Sequence, residues 1–415
     1  MRKCSCDTGD INVMETKIIM EHLELLDQTA RKLDCFWRAS YTEEDRKGVD
    51  MLKTWMEEGG LAVSFDPVGN LFGRVKGATG QMILIGSHRD TVRNGGKYDG
   101  ALGVLTAIEA ASSLYREFGK PEKTIEVAAF CEEEGSRYLS GFVGSRGVAG
   151  ILDPLDLEDT DAAGVTLREA IRGNGYAGDF VHAEKHAARF VELHIEQGGI
   201  LEQQGMTIGA VTAICGITVG SVRLEGEQNH AGTTPMSLRK DPMAAAAGVM
   251  DRMFRWSGAQ NDRVTCTFGN LTCFPGISNV IPRVVEFCFD IRSQDSELLA
   301  AAKGELRKYL DDLQGVRYQI AVLCDDEPVQ MDPGGIRMIR QTADELGYPC
   351  MEIASGAGHD SQILAGKMRT NMIFVPSRAG ISHSRDEYTS PEDIAAGYQV
   401  LKEYIRKIAW EEQDG

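Results

Sequence analysis

Helical and extended apolar patterns succeed one another along the chain in an order that outlines two kinds of domain. Residues 15–33 carry apolar side chains at helical spacing (Ile18, Ile19, Leu23, Leu25, Leu26), and a second helical pattern covers 43–58. Gly59-Gly60 follows it, as glycine does at a helix C-terminus. Short extended runs at 62–65 and 70–75 flank the turn Asp66-Pro-Val-Gly69. Met82-Ile-Leu-Ile85 is a continuous apolar run of the kind that forms a buried parallel strand. An Ala- and Leu-rich helix over 101–118 and a strand over 124–130 complete a β–α–β order. Residues 150–190 are more polar and predict helices with loops, and strand character returns in Phe190-Val-Glu-Leu-His-Ile-Glu-Gln-Gly198.

From about residue 213 the period changes. Ile217-Thr-Val-Gly-Ser-Val-Arg-Leu-Glu225 alternates as a half-buried antiparallel strand does. A helix over 241–255 with Pro242 in its first turn, strands over 264–271 and 284–291, a helix over 297–312 and a strand over 318–323 follow. This block predicts a ferredoxin-like α+β insert, open on one sheet face. After about residue 326 the earlier pattern resumes, with helices over 335–346 and 391–410 and a strand over 372–375. The expected architecture is α/β: a mainly parallel-sheet domain made of 1–213 and 328–415, interrupted by an α+β domain over 214–327. There is no internal repeat and no low-complexity segment.

Composition narrows the partners. The 415-residue chain has a formal net charge of −18, with no basic patch to balance it. That argues against nucleic acid and anionic membranes as partners, but not against a small anionic substrate that needs only a local arginine. No apolar run approaches the roughly 20 residues of a membrane span, and the N-terminus lacks the apolar core of a signal peptide. The ten cysteines are scattered without a Cys-x-x-Cys pair. They read as reduced thiols of a cytoplasmic protein. Cys4 and Cys6 read as part of a frayed terminus rather than a metal site.

The candidate chemistry lies at the predicted strand ends. Gly86-Ser-His-Arg-Asp-Thr-Val follows the first apolar run, and open α/β sheets place their ligand sites just past strand ends. His88 is a metal-ligand candidate, Asp90 can orient its imidazole, and Asp99 lies in a glycine-rich turn. Glu132, Glu133 and Glu134 are adjacent carboxylates whose repulsion a cation would relieve. Two such glutamates can divide metal binding and general-base work between them. Along a strand His194 shares its face with Glu192 and Glu196. His359 follows a glycine-rich loop that includes Gly358, and His383 follows the strand over 372–375. His182 and His186 stand one helical turn apart without an accompanying acidic base, and are not counted as ligands. His88, Asp99, Glu134, His194 and His383 form a suitable set for two metals sharing one carboxylate.

Eight motifs give the chain a resemblance: Gly86-Ser-His-Arg-Asp-Thr-Val, Asn94-Gly-Gly-Lys-Tyr-Asp-Gly, Glu132-Glu-Glu-Gly-Ser-Arg-Tyr, Glu192-Leu-His-Ile-Glu-Gln-Gly, Asn229-His-Ala-Gly-Thr-Thr-Pro-Met, Ser278-Asn-Val-Ile-Pro, Ser355-Gly-Ala-Gly-His-Asp and Gly380-Ile-Ser-His. In this order, from about residue 20 to 410, the chain resembles the dinuclear-metal amidohydrolases of the hydantoinase/carbamoylase group. These belong to the aminoacylase and glutamate-carboxypeptidase-like metallopeptidases. The resemblance implies two divalent ions per subunit, manganese or zinc, with cobalt or nickel as alternatives. His88 and His194 would bind one, Glu134 and His383 the other, and Asp99 would bridge. Glu133 would be the general base, with Asp90 behind the ligands.

The resemblance further implies that Asn279 and Arg292 hold a substrate carboxylate and that Gln197, Gly358 and His359 line the pocket. His230 would stabilise the oxyanion from the insert of a second subunit, in a homodimer built through that lid domain. The implied reaction is hydrolysis of a linear ureido or carbamoyl C–N bond in a small carboxylate. Phe65-Asp-Pro-Val-Gly-Asn-Leu-Phe-Gly-Arg and Asp326-Glu-Pro-Val favour allantoate, with release of ammonia and CO2. Some allantoate enzymes carry basic residues after the glycine matching Gly216, where this chain has Ile217-Thr218-Val219. That keeps an N-carbamoyl-L-amino acid, ureidoglycolate or β-ureidopropionate as alternative substrates. A catalytically inactive binding or scaffold homologue is the remaining alternative, against which the intact ligand set and Glu133 argue.

Overall fold

The computed structural model describes residues 8–31, 35–177 and 185–411. Cys4, Cys6 and His182 lie outside the described residues. The chain divides into two compact units, Met1–Thr212 with Met331–Gly415, and Ala213–Gln330.

A nine-stranded sheet runs in the order Ala62–Phe65, Leu71–Val75, Thr124–Phe130, Met82–His88, Arg189–Ile195, Arg369–Val375, Ile208–Ile214, Val329–Gln330, with Cys350–Ser355 also on Ile208–Ile214; it belongs to the first unit apart from the boundary pairing of Ala213 and Ile214 with Gln330 and Val329. The central pairings are parallel, and those on both flanks are antiparallel. The central strands are buried nearly throughout, as their unbroken apolar runs require. Helix Ala101–Phe118 packs on them and against helices Thr8–Thr29 and Pro391–Arg406. Helix starts follow local chemistry. The Thr42 side chain accepts from Asp45 N ahead of Glu43–Glu58, Asp332 from Gly335 N ahead of Pro333–Leu346, and Ser390 from Asp393 N ahead of Pro391–Arg406. Such caps each contribute about 1 kcal/mol.

The second unit is a five-stranded antiparallel sheet. Leu271–Phe274, Val284–Ser293, Gly216–Glu225 and Arg317–Asp326 stand in that order, and Val264–Thr267 also pairs with Val284–Ser293. Alternate side chains (Val222, Leu224, Val285, Phe287, Phe289, Ile291) are buried with Val249, Met253, Leu299 and Leu306 of helices Pro242–Gly258 and Ser296–Asp311. The strand expected over 264–271 is two strands. One extra residue interrupts the ladder between them, since Thr267 faces Asp290 and Leu271 faces Phe287, and Asn270 O accepts from Cys288 N. Arg317–Asp326 is an edge strand, with Val322 and Leu323 exposed. A short ladder pairs Asn229–His230 with Val280–Ile281.

Candidate metal centre

Two neighbouring parallel strands deliver the first imidazoles. His88 ends Met82–His88 and His194 stands near the end of Arg189–Ile195. Both rings are almost fully buried, at 2% and 1% exposure. Asp99 lies between them, just before helix Ala101–Phe118. Gly100 has φ 63, and a Cβ there would fall 2.3 Å from the His88 ring, so glycine is required by both conformation and space. Asp99 Oδ1 lies 3.3 Å from His88 Nε2 and 3.1 Å from His194 Nε2. Asp99 Oδ2 lies 3.3 Å from His383 Nε2, which is 3.5 Å from Glu134 Oε2. Glu133 Oε2 stands 3.9 Å from His88 Nε2. The structure thus brings together His88, Asp99, Glu133, Glu134, His194 and His383, in groups whose ligand atoms lie within 4.8 Å of one another.

Hydrogen bonds behind the rings set their chemistry. His88 Nδ1 is 3.1 Å from Asp90 O, and His194 Nδ1 is 2.9 Å from Ile195 O. A carbonyl accepts only, so Nδ1 carries the proton in each neutral ring and Nε2 presents a lone pair. The two Nε2 atoms are 3.5 Å apart and face one carboxylate oxygen. Glu134 Oε1 is buried with no hydrogen-bond partner among the described residues. Lone pairs converging on carboxylate oxygens, with an unpartnered oxygen beside them, fit a divalent cation.

The clustered charges shift the proton equilibria of these groups. Burial alone would lower the His88 pKa, but Glu133, Asp99 and Glu134 outweigh it and hold it well above its ordinary value. Burial likewise opposes protonation of His194, and its bond to Asp99 raises the pKa. The hydrogen bond to Asp99 lifts His383 to about 9. Burial, with Asp99 nearby, pushes Glu134 up to about 7. Burial raises Glu133 well above the carboxylate range, and Glu134, Asp360 and Asp90 add to it.

Asp90 acts differently from its expected part. Its carboxylate is 3.9 Å from the His88 ring and instead accepts from the N–H groups of Glu133 (3.1 Å) and Glu134 (3.2 Å). Its backbone carbonyl, not its side chain, orients the imidazole. Glu132 turns inward at φ 51 and accepts from Arg137 N and Tyr138 N, leaving Glu133 and Glu134 to face the histidines. Gln197, also at positive φ, donates Nε2–H to Asp99 Oδ2 at 2.8 Å. His359 is buried edge-on to His194, with ring centroids 4.5 Å apart, and bonds to Ser355 Oγ at 2.8 Å. Gly358 is exposed, 3.0 Å from Phe142 Cζ by its missing Cβ. In the second unit His230 is exposed, and its Nδ1 accepts from Gly232 N at 3.0 Å. Asn279 is exposed, and its carbonyl accepts from Ala231 N. Arg292 bonds to both carboxylate oxygens of Asp290, at 2.9 and 2.8 Å.

Residues 84–407 match the family model described as Peptidase family M20/M25/M40. The chain belongs to this family. Among curated M20-type relatives, it is 40% identical over 401 residues to an allantoate amidohydrolase of Bacillus subtilis, covering 94% of this chain and 97% of the relative. It is 41% identical over 404 residues to an N-carbamoyl-L-amino-acid amidohydrolase of a Pseudomonas strain, covering 93% and 96%. Its fold matches a crystal structure of a hydantoinase/carbamoylase family amidase from Burkholderia multivorans with a TM-score of 0.90 at 34% identity, over 96% of this chain and 98% of that one.

Sequence reasoning about this M20 chain missed the supports. Glu192 accepts from Ser87 Oγ and Ser361 Oγ, both at 2.7 Å. Its place on the His194 face of the strand was the available signal. Glu387 accepts from the N–H groups of Tyr98 and Asp99. No spacing announces it, because a backbone donor leaves no residue type to read.

Proposed function

We propose that this M20 hydrolase cleaves a linear ureido or carbamoyl C–N bond in a small carboxylate, with allantoate as the first substrate. The observation that carries the reading is Asp99, whose two oxygens each face an imidazole group while Glu133 stands beside His88. His88 and His194, with Asp99, would hold one divalent ion, and Glu134 and His383, with the same Asp99, would hold a second. Manganese and zinc are the first choices, and cobalt and nickel share the ligand preference. Such ions supply Lewis acidity toward the carbonyl oxygen and the attacking water.

Glu133 takes a proton from the water and passes it to the leaving nitrogen. Burial raises the pKa of the Glu133 carboxyl, which favours return of the proton to the leaving nitrogen. Cleavage at either nitrogen leaves a carbamate, which loses CO2. His230 stabilises the oxyanion. Its Nδ1 accepts a backbone N–H, so the neutral ring keeps its proton on Nε2 as a donor. Asn279 and Arg292 bind the substrate carboxylate, while Gln197, Gly358 and His359 line the pocket. The insert serves as lid and dimer interface, and the edge strand Arg317–Asp326 offers unpaired backbone groups for a second copy, which would supply His230. The described cysteines are all free, which suits the cytoplasm.

An N-carbamoyl-L-amino acid is the second reading, favoured by the uncharged Ile217-Thr218-Val219 after Gly216. The deciding experiment is ammonia release by manganese- or zinc-loaded protein on allantoate, N-carbamoyl-L-amino acids, ureidoglycolate and β-ureidopropionate, with a neutral ureido compound as control. Allantoate should turn over fastest. A preference for N-carbamoyl-L-amino acids installs the second reading, and no turnover of any ureido acid removes both.

A further inference from the structure

Glu387 lies outside every motif quoted above, four residues beyond His383. It is buried at 5% exposure, and no Lys or Arg pairs with it among the described residues. The nearby Arg385 bonds to Asp27 and Gly95 O instead. A buried carboxylate without a cation is costly, and hydrogen bonds must compensate for it. Here they come from two loops. Oε1 accepts from Tyr98 N (2.9 Å) and Asp99 N (3.1 Å), and Oε2 accepts from Ser382 Oγ (3.0 Å). The same Ser382 hydroxyl is 3.3 Å from Asp99 Oδ2. Gly96 makes the room: a Cβ there would lie 2.0 Å from Glu387 Oε1.

The clasp touches one face of the centre. Asp99 Oδ1 meets His88 and His194, which the hydrogen-bonded sheet already holds. Asp99 Oδ2 meets His383, which lies outside every strand, at φ 52, with half of its side chain exposed. Glu387 joins the Asp99 loop to the Ser382–His383 loop directly.

We infer that Glu387 is a positioning residue for the Asp99 Oδ2 face, and that it selectively governs the ion held by Glu134 and His383. The inference rests on the two-ion reading above. Its test is manganese binding to the metal-free full chain, by calorimetric titration and by the paramagnetic resonance of the bound ions. Wild type should take two equivalents and show a spin-coupled pair at saturation. Glu387→Ala should keep the first affinity and weaken the second by about 10- to 100-fold, the usual cost of losing an outer support. The coupled signal should give way to that of a single ion at matched concentration. Glu387→Gln should restore the second site, because the amide oxygen still accepts both backbone N–H groups. Gly96→Ala provides an independent check, since it displaces Glu387 without removing it, and it should reproduce the selective loss. Wild type that binds fewer than two ions removes the two-ion reading, and the inference with it. Two equivalents in wild type with both affinities unchanged in Glu387→Ala, or both weakened equally, overturns the inference alone.

Discussion

The two faces of Asp99 differ in how their histidines are held. His88 and His194 are buried at adjacent strand ends, and each is oriented by a backbone carbonyl. His383 sits on a loop at positive φ, half exposed, beside the loop-borne Glu134. One carboxylate therefore joins a face fixed by the sheet to a face fixed by loops. On the proposed two-ion reading, an ion on the loop-borne face should be the more readily lost.

The largest effect that can break this comparison is metal removal. Graded chelation should release the Glu134/His383 ion first, and ureido-acid turnover should fall to background with that first loss, as followed by metal analysis alongside ammonia release. Simultaneous loss of both ions would make the two faces equivalent. Next is Glu133→Gln, which should lower kcat by at least about 10²-fold, as for a general base. It should leave the metal content at wild-type level, because the proposed roles place Glu133 outside the ligands. Reduced metal content would reverse the roles of Glu133 and Glu134.

Protonation sharpens the comparison. His383 is raised to about 9 in the metal-free protein, so its contribution to stability is full below its ordinary value of 6.5 and is lost as pH rises through about 9. An ion must displace that proton. Affinity on the loop-borne face should therefore rise about tenfold per pH unit from 7 to 9 and then level off. Below about 7, Glu134 adds a second proton to displace, and the slope should steepen to about a hundredfold per unit. A flat titration between pH 7 and 9 would contradict the assignment of His383. The smallest effect is on stability. In metal-free protein at pH 10, where the His383 proton no longer contributes, His88→Ala should cost about 1–3 kcal/mol, whereas His383→Ala should stay within about 0.5 kcal/mol, read from urea midpoints.

Elements with a clear period and a glycine terminator were legible in the sequence. Helices Glu43–Glu58 and Ala101–Phe118 run between the expected residues, as does strand Thr124–Phe130. The strands Ile208–Ile214 and Cys350–Ser355 were not. The first is rich in small residues, and the second mixes Met and Glu on a half-buried edge, so neither shows a usable alternation. The ligand candidates were legible because metal chemistry demands particular residue types near strand ends. The roles of Asp90 and Glu387 were not, because both bind backbone N–H groups, whose positions depend on the folded loops alone.

The entry and exit of the second unit are neighbours in one ladder. Ala213 pairs with Gln330 and Ile214 with Val329, while Met331 N donates to Thr212 O at 2.9 Å. Antiparallel partners stand about 4.8 Å apart, a gap that a tight turn closes. The architecture is therefore modular for the engineer: a turn joining Thr212 to Met331 excises the insert and leaves the parallel strands whole, trimming only the end of Ile208–Ile214 and its short antiparallel partner Val329–Gln330. Such a miniature would keep His88, Asp99, Glu134, His194 and His383 while lacking His230, Asn279 and Arg292. It would separate, in a single molecule, the residues proposed to load metal from those proposed to choose a substrate.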